Sequence, residues 1–180
     1  MQEGRAEDAT WSTEEQRAVE KVLRNVEERF DLTLWGACFY GFPKAVEAAL
    51  EVEWIKRDPN RATEEGGTPL YVACQIGHLD VVRMLLSTEG IEPNRAEEED
   101  GSTPLYIACE KGHLDVVRML LSTEGIDPDR AEENGATPLF IACQMGHLDV
   151  VRMLLSVDGI DPNRANANKQ TPVNLSLIHI

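Results

Sequence analysis

Apolar residues in the middle of the chain fall into short helical patterns, and residues 103–112 show the first kind. Thr103 is a residue type that caps a helix N-terminus, and Pro104 follows at the position where a missing N–H costs nothing. Small apolar residues then recur at helical spacing, and Gly112 suits the left-handed conformation that ends a helix. This pattern predicts a short helix with a narrow apolar stripe.

A second kind of pattern follows directly, and its apolar residues form two stripes on one helix. One stripe is Leu114, Val117 and Leu121, and the other is Val116 and Leu120. Because a helix that is apolar on two stripes is buried on both sides, the pattern predicts a helix packed between neighbours. Asp115 lies in the first turn, where it favours the helix dipole and can pair with Arg118.

Both patterns occur three times, which makes the chain a repeat array. The eleven residues from Gly77 to Ser87 return from Gly112 to Ser122 and from Gly146 to Ser156. A unit of about 35 residues cannot bury its own apolar face, so we predict an all-α solenoid of stacked helix–turn–helix units. We place the three regular units at 66–100, 101–134 and 135–168.

A degenerate first unit precedes them at 31–65. Its Leu34, Ala37, Cys38 and Gly41 align with the second unit at a constant offset, but its Thr-Pro start and Gly-His turn are lost. Such departures are typical of a terminal unit, whose outer face has no neighbour. We expect its large aromatic residues to pack against the helix before it. They are Trp35, Phe39 and Tyr40.

The two ends of the chain differ from the array. Residues 1–11 are polar and acidic, and we expect a disordered tail. Residues 12–30 predict a helix that covers the open end of the stack, with Ser12 and Glu15 forming a capping box. A partner-binding helix is the alternative interpretation of this segment.

Residues 169–180 begin a fifth unit that fails after its Thr-Pro. The last six residues fit no repeat position and resemble the translation of a sequencing adapter, so we expect a non-native C-terminus. The fourth unit lacks a polar cap, and its apolar face is therefore predicted to be exposed.

The regular units resemble the ankyrin repeat. Thr-Pro-Leu-Tyr-Val-Ala and Gly-His-Leu-Asp-Val-Val in the second unit carry this resemblance, which is strong from Thr68 to Asn163. It implies an ankyrin-type α-solenoid with projecting β-turn or hairpin loops. One departure is an aromatic residue where the family commonly has His after Thr-Pro-Leu, and we expect aromatic packing to substitute. These residues are Tyr71, Tyr106 and Phe140.

The charge and the cysteines limit the classes of partner. Lys and Arg number 17 against 32 Asp and Glu, a net charge of −15, which disfavours nucleic acid and anionic membranes and favours basic partners. A device for solubility is the alternative. No membrane helix or secretory signal is predicted.

The cysteines at one repeat position are expected to be free, buried thiols in a reducing intracellular or cytoplasmic compartment. They are Cys38, Cys74, Cys109 and Cys143.

The sequence contains no motif typical of a catalytic site, and its recurring Cys and His residues are typical of a structural repeat. There is no Gly-rich phosphate loop, Gly-x-Ser-x-Gly elbow or His-Glu-x-x-His motif, so no enzyme, cofactor or catalytic residue is predicted. Cys and His recur in every regular unit, as structural residues do and a single active site does not. His78, His113 and His147 are each expected in the turn of their own unit, too far apart to share a metal.

The copies differ at the projecting turns and at the end of the first helix. In ankyrin-like arrays these places line one concave face and carry partner contacts. The candidate partner-binding residues are Glu64, Glu65, Gln75, Ile76, Glu98, Glu99, Asp100, Ser102, Glu110, Lys111, Glu133, Asn134, Gln144 and Met145. The alternative is that exposed positions vary freely.

The turns are also acidic, and Glu97 and Glu132 belong to the same runs of carboxylates. One arginine per unit is expected to pair with the acidic residues beside it. These arginines are Arg61, Arg95, Arg130 and Arg164.

We therefore predict a monomeric, non-enzymatic protein-interaction module. Its partner is a protein, favoured to be a basic peptide or a Lys/Arg-rich surface. A recruitment array from a longer protein, with a catalytic or channel domain beyond residue 180, is the second hypothesis. An independent enzyme is the third.

Overall fold

The structure is a computed structural model that describes residues 32–63 and 66–172. The predicted tail and helix in residues 1–31, the candidates Glu64 and Glu65, and the predictions for residues 173–180 lie outside this part of the chain. Within it the chain forms nine short helices and no strand. They are α1 (Leu32–Tyr40), α2 (Pro43–Leu50), α3 (Glu53–Arg57), α4 (Pro69–Ile76), α5 (Leu79–Leu86), α6 (Pro104–Lys111), α7 (Leu114–Leu121), α8 (Pro138–Met145) and α9 (Leu148–Leu154).

The helices pack in two layers. Helices α1, α4, α6 and α8 contact one another in chain order, and α2, α5, α7 and α9 form the second layer in the same way. Each unit contributes one helix to each layer, and α3 is a short addition that contacts α2. The all-α solenoid predicted from the repeat is confirmed.

Each regular unit starts and ends as its sequence predicts. The Thr103 Oγ1 accepts the Tyr106 backbone N–H at 3.1 Å, with Pro104 in the first turn. Such a cap stabilises a helix by about 1 kcal/mol. Gly112 follows α6 with φ of 72°, a left-handed conformation that favours glycine. The second and fourth units repeat this arrangement at both ends of their first helix.

The second helix of each unit carries much of the core. In α7, Val116, Val117 and Leu120 are buried, whereas Leu114 and Leu121 are only half-buried. One of the two predicted apolar stripes is thus fully enclosed and the other only in part. Burial of a leucine side chain contributes about 1.5–3 kcal/mol. In the fourth unit the equivalent residues, Leu148 and Leu155, are exposed.

The histidines bind neighbouring units together, and this role goes beyond the expected place in a turn. The His113 Nε2–H donates to the Gln75 carbonyl at 3.1 Å, and the His147 Nε2–H donates to the Glu110 carbonyl at 2.9 Å. His78 reaches the Phe39 carbonyl in the same way at 3.0 Å. Each imidazole therefore joins its turn to the end of the preceding first helix.

A second set of bonds joins the loops that follow the second helices. The Asn60 Nδ2–H donates to the Gly90 carbonyl at 2.6 Å, and its Oδ1 accepts the Glu92 N–H at 2.8 Å. Asn94 repeats both bonds one unit later, at 2.7 and 2.9 Å. The equivalent residue in the next unit is Asp129, whose carboxylate side chain has no N–H to donate.

The four cysteines are free and buried. Burial raises the pKa of the Cys38, Cys74 and Cys109 thiols well above the ordinary value, so they remain protonated and unreactive. The aromatic residues at the family's histidine position are also buried, in agreement with the predicted packing role. In the first unit the Trp35 and Phe39 rings are stacked at 5.3 Å.

Candidate functional site

The ends of the first helices bring one group of candidate residues into a row. Gln75 and Ile76 end α4, Glu110 and Lys111 end α6, and the equivalent pair ends α8. Because these helices pack side by side, the residue pairs lie in register on one face. The last pair is Gln144 and Met145, and both are exposed.

This row carries exposed apolar side chains that the candidate set lacked. Tyr40 is 59% exposed and ends α1, at the position equivalent to Ile76. Its ring contacts the Phe39 ring edge-on at 5.2 Å, and Phe39 is itself partly exposed. The offset of 36 residues that aligns the first two units also relates Tyr40 to Ile76. That offset was the signal that could have identified Tyr40 from sequence.

The projecting turns form a second row, linked by backbone hydrogen bonds. The Glu133 N–H donates to the Asp100 carbonyl at 2.9 Å, and the Ala167 N–H donates to the Asn134 carbonyl at 2.7 Å. The side chains of Glu98, Glu99, Asp100, Glu133 and Asn134 are exposed on these turns. Neighbouring turns are thus held in a fixed order, with carboxylates directed to solvent.

Two carboxylates in the acidic runs have a structural role instead. Glu97 is buried, and its carboxylate accepts the backbone N–H groups of Glu99 and Asp100 at 2.9 and 3.1 Å. Glu132 accepts the backbone N–H groups of Asn134 and Ala136 at 2.8 and 3.0 Å. These side chains shape the turns from within. Glu97 belongs to the acidic run in the sequence but, because it is buried, does not contribute to the acidic surface.

Ser102 is also part of the interior of its turn. It is 1% exposed, its N–H donates to Asp100 Oδ1 at 2.8 Å, and its carbonyl accepts the Glu97 N–H at 2.9 Å. A buried serine cannot contact a partner in this arrangement, so its inclusion among surface candidates is corrected. Its hydrogen bonds hold the exposed Asp100 in place.

The Arg164 ion pair differs from the expected local pairing. Its guanidinium contacts the Asp129 carboxylate at 3.1 Å and the Asp129 carbonyl at 2.7 Å, one unit earlier in the chain. This arginine therefore bridges units and does not neutralise the turn beside it. By contrast, the predicted pair of Asp115 and Arg118 is present at 3.5 Å, with both side chains exposed.

Tyr71 and Tyr106 are buried residues of α4 and α6, the helices whose ends form the first row. Burial raises the pKa of the Tyr71 hydroxyl, and the carboxylates of Asp100, Glu97 and Glu110 raise it further. Burial likewise raises the pKa of Tyr106, with added contributions from Glu132, Glu110 and Asp100. The hydroxyls therefore stay protonated and lie in a field of negative charge. Sequence reasoning interpreted both residues as packing only.

No group of side chains in the described ranges 32–63 and 66–172 is arranged to hold a metal ion. In the same ranges, no helix has the length and apolar character needed to cross a bilayer.

Comparison with protein families identifies the class to which this arrangement belongs. The family model for ankyrin repeats, described as three copies, matches residues 15–97 and 89–166. The chain is therefore a member of the ankyrin-repeat family. No curated protein matches it. Ankyrin repeats are generally non-catalytic modules for protein–protein interaction, and a protein partner follows from that membership.

Proposed function

We propose that the chain binds a protein partner through the face formed by its turns and first-helix ends. We call this the concave face, and its exposed or partly exposed members are Tyr40, Gln75, Ile76, Glu98, Glu99, Asp100, Glu110, Lys111, Glu133, Asn134, Gln144 and Met145. The observation that carries the proposal is the contrast between the two layers. The second helices of the three regular units repeat one sequence, whereas the concave face varies from unit to unit.

The partner segment is basic and carries apolar side chains. Glu98, Glu99 and Glu133 give the turns negative charge, and the overall charge of −15 extends this field around the molecule. Tyr40 and Ile76 add apolar contact area at the N-terminal half of the face. A segment with Lys or Arg beside apolar residues complements both features.

Rigid presentation is the mechanism of binding. Backbone bonds between turns and the His113 and His147 bonds between units hold the face in one shape before a partner arrives. A preformed surface loses little conformational entropy on association. The module acts as a monomer in an intracellular compartment and performs no catalysis. It would recruit a partner in the same way if it belonged to a longer protein with a catalytic or channel domain.

The test is a pull-down with the full chain as bait, from a lysate of cells that express it. One variant replaces Glu98, Glu99 and Glu133 by Gln. A charge-matched control replaces Glu47, Glu89 and Glu124, which are exposed away from the concave face. Glu97 and Glu132 stay unchanged because they shape the turns.

We expect a direct partner that is retained by the wild type and by the control but lost by the concave-face variant. Binding should weaken at high salt, since exposed charges are screened within about 8 Å at physiological ionic strength. A partner retained equally by all three baits would refute the concave face as the binding surface.

A further inference from the structure

Two arginines, Arg95 and Arg130, border one open groove of about 540 Å³ on the loops that follow the second helices. Neither side chain makes a hydrogen bond or ion pair with any residue that the structure describes. For these two arginines, the pairing with neighbouring acidic residues that the sequence predicted is therefore wrong within the described ranges. A chain of net charge −15 thus presents two cationic side chains beside one groove without an ion-pair partner.

The remaining lining of the groove is mainly apolar. It includes Ile91, Pro93 and Ala96, all of which are half-buried. The Glu92 carboxylate also borders the groove, but it forms no ion pair with either arginine. Two guanidinium charges and one carboxylate leave the lining with a local excess of positive charge. None of the residues of the concave face lines this groove, so it is a separate surface.

The fourth unit shows which group the equivalent arginine binds. The Arg164 Nη1–H donates to the Asp129 carboxylate at 3.1 Å and to the Asp129 carbonyl at 2.7 Å, one unit earlier in the chain. For the arginines of the second and third units, the residues at the position of Asp129 are Asn60 and Asn94. Both amides are already hydrogen-bonded to the next loop. The two earlier arginines therefore have a neutral amide where Arg164 has a carboxylate.

We propose that this groove binds one carboxylate side chain, Asp or Glu, of a partner protein. We call it the carboxylate groove, formed by Arg95, Arg130, Ile91, Pro93 and Ala96. A guanidinium presents its N–H donors in a planar fork that matches a carboxylate, and the Arg164 contact shows this chemistry within the same chain. The apolar lining adds contact area for residues that flank the carboxylate.

The negative charge of the whole molecule does not prevent such binding. Exposed charges farther away than about 8 Å are largely screened at physiological ionic strength, whereas the two guanidiniums lie at the groove itself. Affinity must therefore come from short-range contacts, which favours a carboxylate beside apolar residues. The carboxylate groove extends the function to a second contact of opposite charge and does not depend on the concave face.

The test uses a displayed peptide library. The library is first depleted on a double variant of the full chain, Arg95→Gln with Arg130→Gln, and is then selected on the wild type. Neither arginine has a partner among the described residues, so this variant should unfold at the same denaturant concentration as the wild type. A charge-matched control carries Arg83→Gln and Arg118→Gln, which are exposed on the second helices.

One enriched peptide is then synthesised with its Asp or Glu, with the matching amide, and with phosphoserine at that position. Dissociation constants are measured for the wild type, the double variant and the control. For the wild type, the amide should weaken binding about tenfold or more, since hydrogen bonds to charged groups are the strong ones. The double variant should lose this difference, the control should keep it, and phosphoserine should bind no more tightly than the carboxylate.

Several results would overturn the carboxylate groove. They are a library without enriched peptides after depletion, enriched peptides that lack Asp and Glu, and a control that loses binding as the double variant does. Tighter binding of the phosphoserine peptide would assign the groove to a phosphate group instead. None of these results affects the concave face, because the variants that test it keep both arginines.

Discussion

Asp129 occupies the position whose side chain forms hydrogen bonds between the loops of neighbouring units. Asn60 and Asn94 each donate and accept one hydrogen bond across to the next loop. The Asp129 Oδ1, in contrast, is buried and has no hydrogen-bond partner among the residues that the structure describes. Its carboxylate contacts Arg164, whose side chain is about half exposed. A buried acceptor without a partner costs about 1–3 kcal/mol, whereas a partly exposed ion pair contributes at most about 1 kcal/mol.

We therefore predict that Asp129→Asn stabilises the protein by about 1 kcal/mol, because the amide can donate to the next loop as Asn94 does. Denaturant unfolding measures the change. The reciprocal substitution, Asn94→Asp, is the control and should destabilise by about 1–3 kcal/mol. A lower unfolding midpoint for Asp129→Asn would show that the Arg164 pair outweighs the missing amide.

At the scale of the element, the glycine that ends a first helix leaves space for the histidine ring of the next unit. A methyl group on Gly112 would lie 2.6 Å from the His147 ring, whereas one on Gly146 would meet nothing within 4 Å. Both glycines have positive φ, 72° and 77°, so alanine would strain each backbone alike. Comparison of the two alanine variants isolates the steric clash with the imidazole, because the backbone strain of about 1–2 kcal/mol is common to both.

Gly112→Ala should accordingly destabilise the protein by about 1–3 kcal/mol more than Gly146→Ala, since the imidazole must move and its bond to the Glu110 carbonyl is lost. Thermal or denaturant unfolding of both variants gives the difference. Adding His147→Ala should remove most of the excess. Equal destabilisation by the two substitutions would mean that the position of the His147 imidazole does not require a glycine at residue 112.

The helix bounds could be predicted from sequence because their causes are local. Thr103 bonds to a backbone N–H three residues away, and Gly112 ends the helix by its own conformation. The His147 bond to Glu110 could not be predicted, because it joins residues 37 apart and depends on how units stack. The register of stacking is decided by packing between units, not by any one segment.

The site was predicted only in part, for a similar reason. Variation among copies identified the turns and helix ends, but exposure depends on which way each side chain points. Glu97 and Ser102 lie in the variable turn and still face inward. A recurring acceptor at the positions of Glu97, Glu132 and Asn166 was a usable signal, since each accepts two backbone N–H groups within its turn.

At the scale of the whole molecule, stability should fall toward the fourth unit. Asp129 weakens the join before it, and Leu148 and Leu155 are exposed while their equivalents in the third unit are half-buried. Repeat arrays gain stability from each interface between neighbours, so a unit with fewer such contacts opens at lower free energy.

Native-state hydrogen exchange tests this directly, because α7 and α9 share the sequence LDVVRML and hence nearly the same intrinsic exchange rates. We predict smaller protection factors for the α9 amides than for the α7 amides. Asp129→Asn should reduce this difference in protection. Equal protection in the two helices would show that the array opens as one unit.

The central claim is that the concave face, and not the outer layer of second helices, binds the partner. The most direct measurement is an NMR chemical-shift map of the ¹⁵N-labelled full chain, titrated with a peptide that carries Lys and Arg beside apolar residues. We predict that the shifted amides cluster at the turns and first-helix ends, including Ile76, Glu99 and Lys111. Shifts centred instead on the second helices, around Arg83 and Arg118, would contradict the claim.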